Sequence, residues 1–433
     1  MSSNSTYLDS KTIEHLFRHQ SGKMFSILIG IFGFDNSRLI EDIIQETFLS
    51  AMKTWRIKGL PENAEGWLMQ VAKNKLINEL KKRSNRARLN ERFANEDLED
   101  KVEELFLDSE IKDSQLRALF ACCNPLLNTK DQIMLTLKAL CGFSNKEIAS
   151  ALYSTSEAVK KAVYRAKSSI QQHQIQLGTP FIHEIPERIE AVHTIIYLIF
   201  NEGYKQTSGE TLVNEDLCYE ASRLAVLLVD IEGDHQSNTH ALLALIFFSM
   251  ARFPARSNSK GDMIELEFQD RTKWDKSLIY TAMSFLSKSR STVNASKYHF
   301  EATITSLHCT ANSFEETDWK AISFCYQKLL SLEDNPVLRI NYVVALSKWK
   351  GADRGLSELE LIEAEINKPL KYLFYSAKAS MFMEIGKYDL AKSYYQVAHD
   401  LSKHKMDQSF LVSKMKECDL ALKNTSSDSL NQS

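Results

Sequence analysis

Glycine and proline are scarce: 14 and 7 among 433 residues. The prolines sit near apparent segment ends, so little interrupts long helices, and the sequence reads as all-α. Cysteine offers no framework. The seven are odd in number and irregular in spacing, without a C-x-x-C or a paired Cys/His set at zinc spacing. That excludes a disulfide scaffold or a zinc site and leaves buried, reduced thiols. No apolar run approaches the ~20 residues of a membrane span. The strongest, 191–200, is broken by His193 and Thr194, and Met1 to Lys11 is polar with no apolar signal core, so the expectation is a cytoplasmic protein. No phosphate loop, nucleophile–base pair or metal spacing is legible, so no catalytic residue, cofactor or metal is expected. Nor is there an excess of positive charge: the net is −3. That average hides local patterning, and a phosphate feels only charge within a Debye length of ~8–10 Å.

What is present suits a soluble globular chain of roughly three domains at ~150 residues each: 44% hydrophobic and 25% charged residues. Residues 142 to 170 carry the most information. A first helix is expected from Asn145 to Leu152, Tyr153 and Ser154 turn the chain, and Thr155 caps a second helix. That second helix has an apolar stripe at Ala158 or Val159, Ala162 or Val163, Ala166 and Ile170. Its other face carries Ser156, Glu157, Lys160, Lys161, Tyr164, Arg165 and Lys167. A helix-turn-helix with a basic second helix suits the DNA major groove. The plainer reading is a helical hairpin with solvated lysines.

Upstream, Ser37 to Trp55 reads as a helix burying Ile40, Ile44, Phe48, Ala51 and Trp55, with Glu41, Asp42, Gln45 and Glu46 as an acidic outer face. A helix over Ala64 to Arg83 follows, burying Trp67 or Leu68, Val71, Ala72, Leu76 and Leu80. Residues 73–92 hold eight basic residues against two acidic, a net of +6, and 93–113 hold nine acidic against two basic, a net of −7. A basic helix end followed by an acidic stretch reads as a nucleic-acid-facing element and a linker; two solvated faces of one helix is the alternative.

In the last third, Ala379, Phe382, Gly386, Tyr388, Ala391, Tyr395 and Ala398 fall at the spacing of a 34-residue tetratricopeptide unit, and Trp319, Ile322, Tyr326, Leu329 and Pro336 form a degenerate match.

Three motifs in order carry a resemblance: Ile40-Glu-Asp-Ile-Ile-Gln-Glu-Thr-Phe48; Trp67-Leu-x-x-Val-Ala-Lys-Asn74 with Ile77-Asn78 and Lys81-Lys82; and Glu147-Ile-Ala-x-x-Leu152 with Val159-Lys160 and Arg165-Ala-Lys167. Together they resemble regions 2 and 4 of a bacterial RNA polymerase sigma factor of the extracytoplasmic-function type. Asn78 stands where the family usually has Asp, and Tyr153 where many members have Gly. Leu116-Arg-Ala-Leu-Phe-Ala-Cys-Cys-Asn-Pro125, Ile199-Phe-Asn-Glu-Gly-Tyr204, Ala251-Arg-Phe-Pro-Ala-Arg256 and Gln269-Asp-Arg-x-x-Trp-Asp275 resemble the subgroup with a long C-terminal extension ending in tetratricopeptide-like helices.

The resemblance implies no covalent chemistry. It implies that Asp42, Gln45 and Glu46 dock on core polymerase. It implies that the 64–83 helix holds the −10 promoter element, with Asn63, Trp67 and Asn74 reading or supporting an extruded base and Lys73, Lys81, Lys82 and Arg83 on phosphates. For Trp67, core packing is the equal alternative. At the −35 element, Ser156, Glu157, Lys160 and Lys161 would reach bases or nearby phosphates, and Arg165 and Lys167 would clamp phosphates. The Asn201–Tyr204 and Arg252–Arg256 segments read as a turn and a polar network pinning the extension to the sigma core, or as a ligand site.

The expected organisation is region 2 over 1–90, an acidic linker over 91–113, region 4 over 114–177, a helical extension over 178–290, tetratricopeptide-like repeats over 291–425 and a disordered tail over 426–433. The expected partners are core RNA polymerase, promoter DNA, and an unidentified protein or peptide at the repeats. The expected function is promoter selection, regulated by the chain's own extension. The competing reading is a helix-turn-helix regulator that acts without core polymerase, with a C-terminal protein-interaction module.

Overall fold

The computed structural model describes residues 10–83, 108–152, 154–175, 185–204, 213–231, 233–258, 264–290, 295–402 and 405–431. Among them there is no β-strand; α-helices are joined by short turns and 3-10 segments, as the scarcity of turn residues requires. The chain divides into two compact units, Met1–Ile199 and Phe200–Ser433.

In the first unit, α1 (Ser10–Phe32), α2 (Ser37–Lys58) and α3 (Ala64–Arg83) pack on one another. Leu39, Ile40, Ile43, Ile44, Thr47 and Ala51 form the buried side of α2 at helical spacing. Phe48 and Trp55, expected in that stripe, are half-buried at its edge. From α3, Leu68, Met69, Ala72 and Leu76 are buried.

Four further helices follow in this unit: α4 (Asp108–Cys122), α5 (Thr129–Ala139), α6 (Asn145–Ala151) and α7 (Ser156–Gln172). Sequence chemistry explains the starts of three. Asn128 accepts from Asp131 N to cap α5. Ser144 and Glu147 form a capping box at α6, and Thr155 accepts from Ala158 N at 3.1 Å to start α7. Along α7, Val159, Ala162, Val163, Ala166 and Ile170 are buried, and full burial of each Val or Ile contributes about 1.5–3 kcal/mol.

Two expectations meet the structure differently. The acidic stretch lies outside the described residues for 91–107, and 108–113 already belong to α4. Tyr153 also lies outside them.

The second unit begins with the end of α8 (Ile185–Tyr204) and continues with α9 (Glu215–Leu227) and α10 (Gln236–Met250). The run Ala241–Ile246 is buried on every face of α10, which makes that helix central. Short turns over 251–258 and 264–275 precede α11 (Lys276–Lys288). Then come α12 (Lys297–Thr310), α13 (Trp319–Leu332), α14 (Pro336–Lys350), α15 (Ala352–Ile362), α16 (Lys371–Glu384), α17 (Tyr388–Leu401) and α18 (Lys405–Asn431), each packed on the next.

The small residues of the repeat pattern do what their size allows: Ala379, Ala391 and Ala398 are fully buried between α16, α17 and α18, while the Phe382 and Tyr394 rings stack at 5.4 Å. The segment read as a disordered tail continues α18 to Asn431. Once Leu411 and Cys418 anchor that helix, adding residues is far less costly than nucleating it.

Candidate nucleic-acid interface

On α2, Asp42, Gln45 and Glu46 are exposed on one face, at positions three and four apart. Glu46 is lightly engaged by Lys75, whose Nζ lies 3.6 Å from its carboxylate and donates to its backbone carbonyl at 3.0 Å. Glu41 departs from the acidic outer face. It turns towards region 4 and pairs with Lys167 at 2.7 Å.

On α3, Asn63 accepts from Gly66 N at 2.8 Å, so its amide starts the helix. The Trp67 ring packs on Trp55 with centroids 5.5 Å apart and stays half-buried, joining the two roles open to it: a core contact with one surface still reachable. Asn74 is exposed, as are Lys81 and Lys82, the latter 3.4 Å from Glu79. The Arg83 side chain lies outside the described residues. Lys73 differs from its expected role. It is 8% exposed, because it follows Ala72 on the face that packs into the bundle, and this arrangement does not offer it to a phosphate.

On α7, Glu157, Lys160 and Lys161 are exposed, and Ser156 is half-exposed beside them. Tyr164, expected on this outer face but given no contact with DNA, is 69% exposed and extends the face one turn on, at i+3 and i+4 from Lys161 and Lys160.

Arg165 and Lys167 are placed otherwise than as phosphate clamps. Arg165 Nη2 donates to Asp131 Oδ1 at 2.7 Å and its Nε to Oδ2 at 3.2 Å, a two-pronged bond that ties α7 to the start of α5. Asp131 is buried and also accepts from Asn128 Nδ2 at 2.8 Å. The Lys167 side chain is only 13% exposed, with its ammonium on Glu41 and 5.9 Å from the Phe25 ring centroid. Regions 2 and 4 therefore touch in the first unit. Gln171 Nε2 adds a long 3.5 Å bond to the Asp35 carbonyl.

The chain matches the sigma-70 region 2 family over residues 16–86 and the sigma-70 region 4 family over 119–170. The exposed acidic face and the exposed second helix lie one in each match. The chain is an RNA polymerase sigma factor with sigma-70 regions 2 and 4. Such a factor directs core RNA polymerase to promoters, and its partners are core polymerase and promoter DNA. Residues 188–290 match a family of unknown function (DUF6596). The "Uncharacterized protein R00370" of Rhizobium meliloti (strain 1021) is 32% identical over 357 residues, covering 82% of this sigma factor and 84% of the relative. No solved structure matches it.

Of the sigma factor's extension motifs, Leu116–Pro125 lies in the first unit, and the segments around Tyr204, Arg252–Arg256 and Gln269–Asp275 meet in the second. A Cβ on Gly203 would lie 2.8 Å from Cys218 Sγ and from Leu217 Cβ, so only glycine permits this approach of α8 to α9. Arg256 stacks 3.8 Å from the Tyr204 ring centroid and donates to the Tyr204 carbonyl at 2.9 Å. Arg252 reaches Gln269, Arg271 donates to the carbonyls of His308 and Ala311, and Asp275 caps α11. These contacts form a polar network inside the extension.

Among the described residues no helix is long and apolar enough to cross a membrane, and no group of three His, Cys, Asp or Glu is placed to hold a metal ion.

Proposed function

We propose that this sigma factor is of the extracytoplasmic-function type, acts in the cytoplasm, and carries its own regulator in an extension that ends in tetratricopeptide-like helices. The reading rests on the exposed Glu157, Lys160 and Lys161 face of a capped second helix held in place by Arg165 and Asp131. Ser156, Glu157, Lys160 and Lys161 take the −35 element. Asn63, Trp67 and Asn74 take the −10 element, with Lys81 and Lys82 on phosphates. Asp42, Gln45 and Glu46 dock on core polymerase, where complementary charge sets register and on-rate more than affinity. The repeats take a protein or peptide partner.

In vitro transcription with core polymerase over fragmented genomic DNA tests the assignment. The full chain is compared with one ending at Leu177 and with the Asp42→Lys, Glu46→Lys double variant. The double variant is expected to keep its fold and lose core binding, and the truncated chain to lose most transcription. Wild-type core binding by the double variant refutes the docking face. A truncated chain as active as the full one refutes the required role of the extension, and a more active one makes the extension an inhibitor.

A further inference from the structure

Within the second unit a cavity of about 420 Å³ opens between the turns at 252–256 and 264–269 and helices α12 to α14. That volume lies within the ~300–1,000 Å³ usual for small-molecule sites. Its chemistry is lopsided. Arg256 is 8% exposed, and its contacts are the Tyr204 ring and carbonyl. Arg252, half-buried, makes a long 3.4 Å bond to Gln269 and faces the Trp274 ring. Among the described residues neither guanidinium has a carboxylate partner.

The two carboxylates at the cavity do not answer them: Glu265 pairs with Lys414 at 2.5 Å, and Glu267 is exposed. His308 lines the same cavity at 9% exposure, and its Nδ1 is buried with no hydrogen-bond partner. Beside it, Arg271 Nη2 is buried and unpartnered too. Burial, and then the repulsion of Arg252 and Arg271, holds His308 down to about 3, so the ring is neutral and leaves the positive charge to the arginines.

Buried cations without counter-charge are costly unless something compensates them. Planar guanidiniums match the two-oxygen edge of a carboxylate or phosphate. The lining is also aromatic: Trp319 and Phe314 meet edge-on at 5.0 Å, and Tyr326 lines the same cavity.

We propose that this cavity binds a small organic anion, its carboxylate or phosphate seated by Arg252 and Arg256 and its apolar body lying against Trp319 and Tyr326. The site goes beyond promoter selection: it gives the extension a direct input from a small molecule. Binding is read on the purified chain, so its outcome is independent of core polymerase and promoter.

The test is titration of the full-length protein with phenylacetate and with phenyl phosphate at constant ionic strength, followed by calorimetry and tryptophan fluorescence. Neutral phenylacetamide is the control. At least one anion is expected to bind, at least tenfold more tightly than phenylacetamide; which one it is separates the carboxylate from the phosphate source. Arg252→Gln should weaken binding at least tenfold without lowering the unliganded unfolding midpoint, because it removes an uncompensated charge. Trp319→Phe should remove most of the fluorescence response while calorimetry still records binding. Should Arg252→Gln fail to fold, Arg252→Lys, which keeps the charge and loses the planar fork, is expected to weaken binding severalfold. Failure of both anions to bind overturns the proposal. So does equal binding of phenylacetamide, or wild-type affinity in the folded Arg252 variant.

Discussion

Replacing Arg165 by Ala separates two physical roles on α7. Arg165 holds Asp131, a buried carboxylate whose other side-chain contact is Asn128. Removing one partner of a buried pair typically costs ~3–5 kcal/mol, since the other charge stays buried. Arg165 is 59% exposed, so water screens the pair and replaces part of what the guanidinium gives. Halving the cost for that screening gives about 1.5–2.5 kcal/mol. For a cooperative unit of this size that is a fall in unfolding midpoint of about 3–10 °C.

Asp131→Asn should be destabilising as well, and the double variant less so than the sum, with a coupling of about 1–2 kcal/mol. The assay is thermal unfolding beside promoter binding across a salt series. A phosphate clamp behaves in the opposite way: its loss leaves the midpoint alone and lowers the salt slope by about one. An unmoved midpoint with a reduced slope would refute the structural role.

Other expectations follow from the same geometry. Lys160→Ala and Lys161→Ala should each weaken promoter binding, by ~1–3 kcal/mol if the side chain reads a base and uniformly across sequences if it holds a phosphate; binding unchanged in both at low and moderate salt removes this helix from the interface. Gly203→Ala should destabilise the extension by about 1–3 kcal/mol through overpacking against Cys218 and Leu217, and an unchanged midpoint would contradict the close approach. Acid should weaken the extension through His308. Folded, the ring holds its proton only below about 3, whereas an unfolded His takes one up near 6.5. The unfolded state therefore binds more protons between those values, and stability falls with pH below about 6.5, at a slope approaching ~1.4 kcal/mol per pH unit. His308→Gln should flatten that slope, as read by denaturant unfolding between pH 7 and 4.5.

Local chemistry was legible in the sequence, and contacts between distant segments were not. The bounds of α3, the Thr155 cap and the buried stripe of α7 follow from side chains within a few residues of one another. Lys167 shows the limit. It lies four residues after Val163 and three before Ile170, both buried, so its own helix already turned it inward; that spacing was the available signal. What it meets, Glu41, is far away in sequence and by local spacing belongs to the acidic outer face of α2. Arg165 follows the same pattern: Asn128 and Asp131 resemble an ordinary helix start, and nothing local shows that the carboxylate faces another helix. In the extension, Arg252, Gln269 and His308 come from separate segments, so the sequence could mark them as unusual without showing that one cavity joins them.

Gly22 gives the contact between regions 2 and 4 a particular stiffness. A Cβ there would fall 2.0 Å from the Leu140 carbonyl oxygen, so two stretches of main chain touch with no side chain to cushion them. Promoter elements named for positions −10 and −35 lie about 25 base pairs apart, about 85 Å along B-DNA at about 3.4 Å each. A closed unit of nearly 200 residues has a radius of gyration of about 16 Å. On the proposed assignment, a chain that reaches both elements has to part at Gly22 and Lys167. The fraction of molecules already parted then scales the apparent affinity for the promoter. A wedge as small as one methyl group at position 22 is thus a way to set the idle population of this sigma factor without touching either DNA-reading surface.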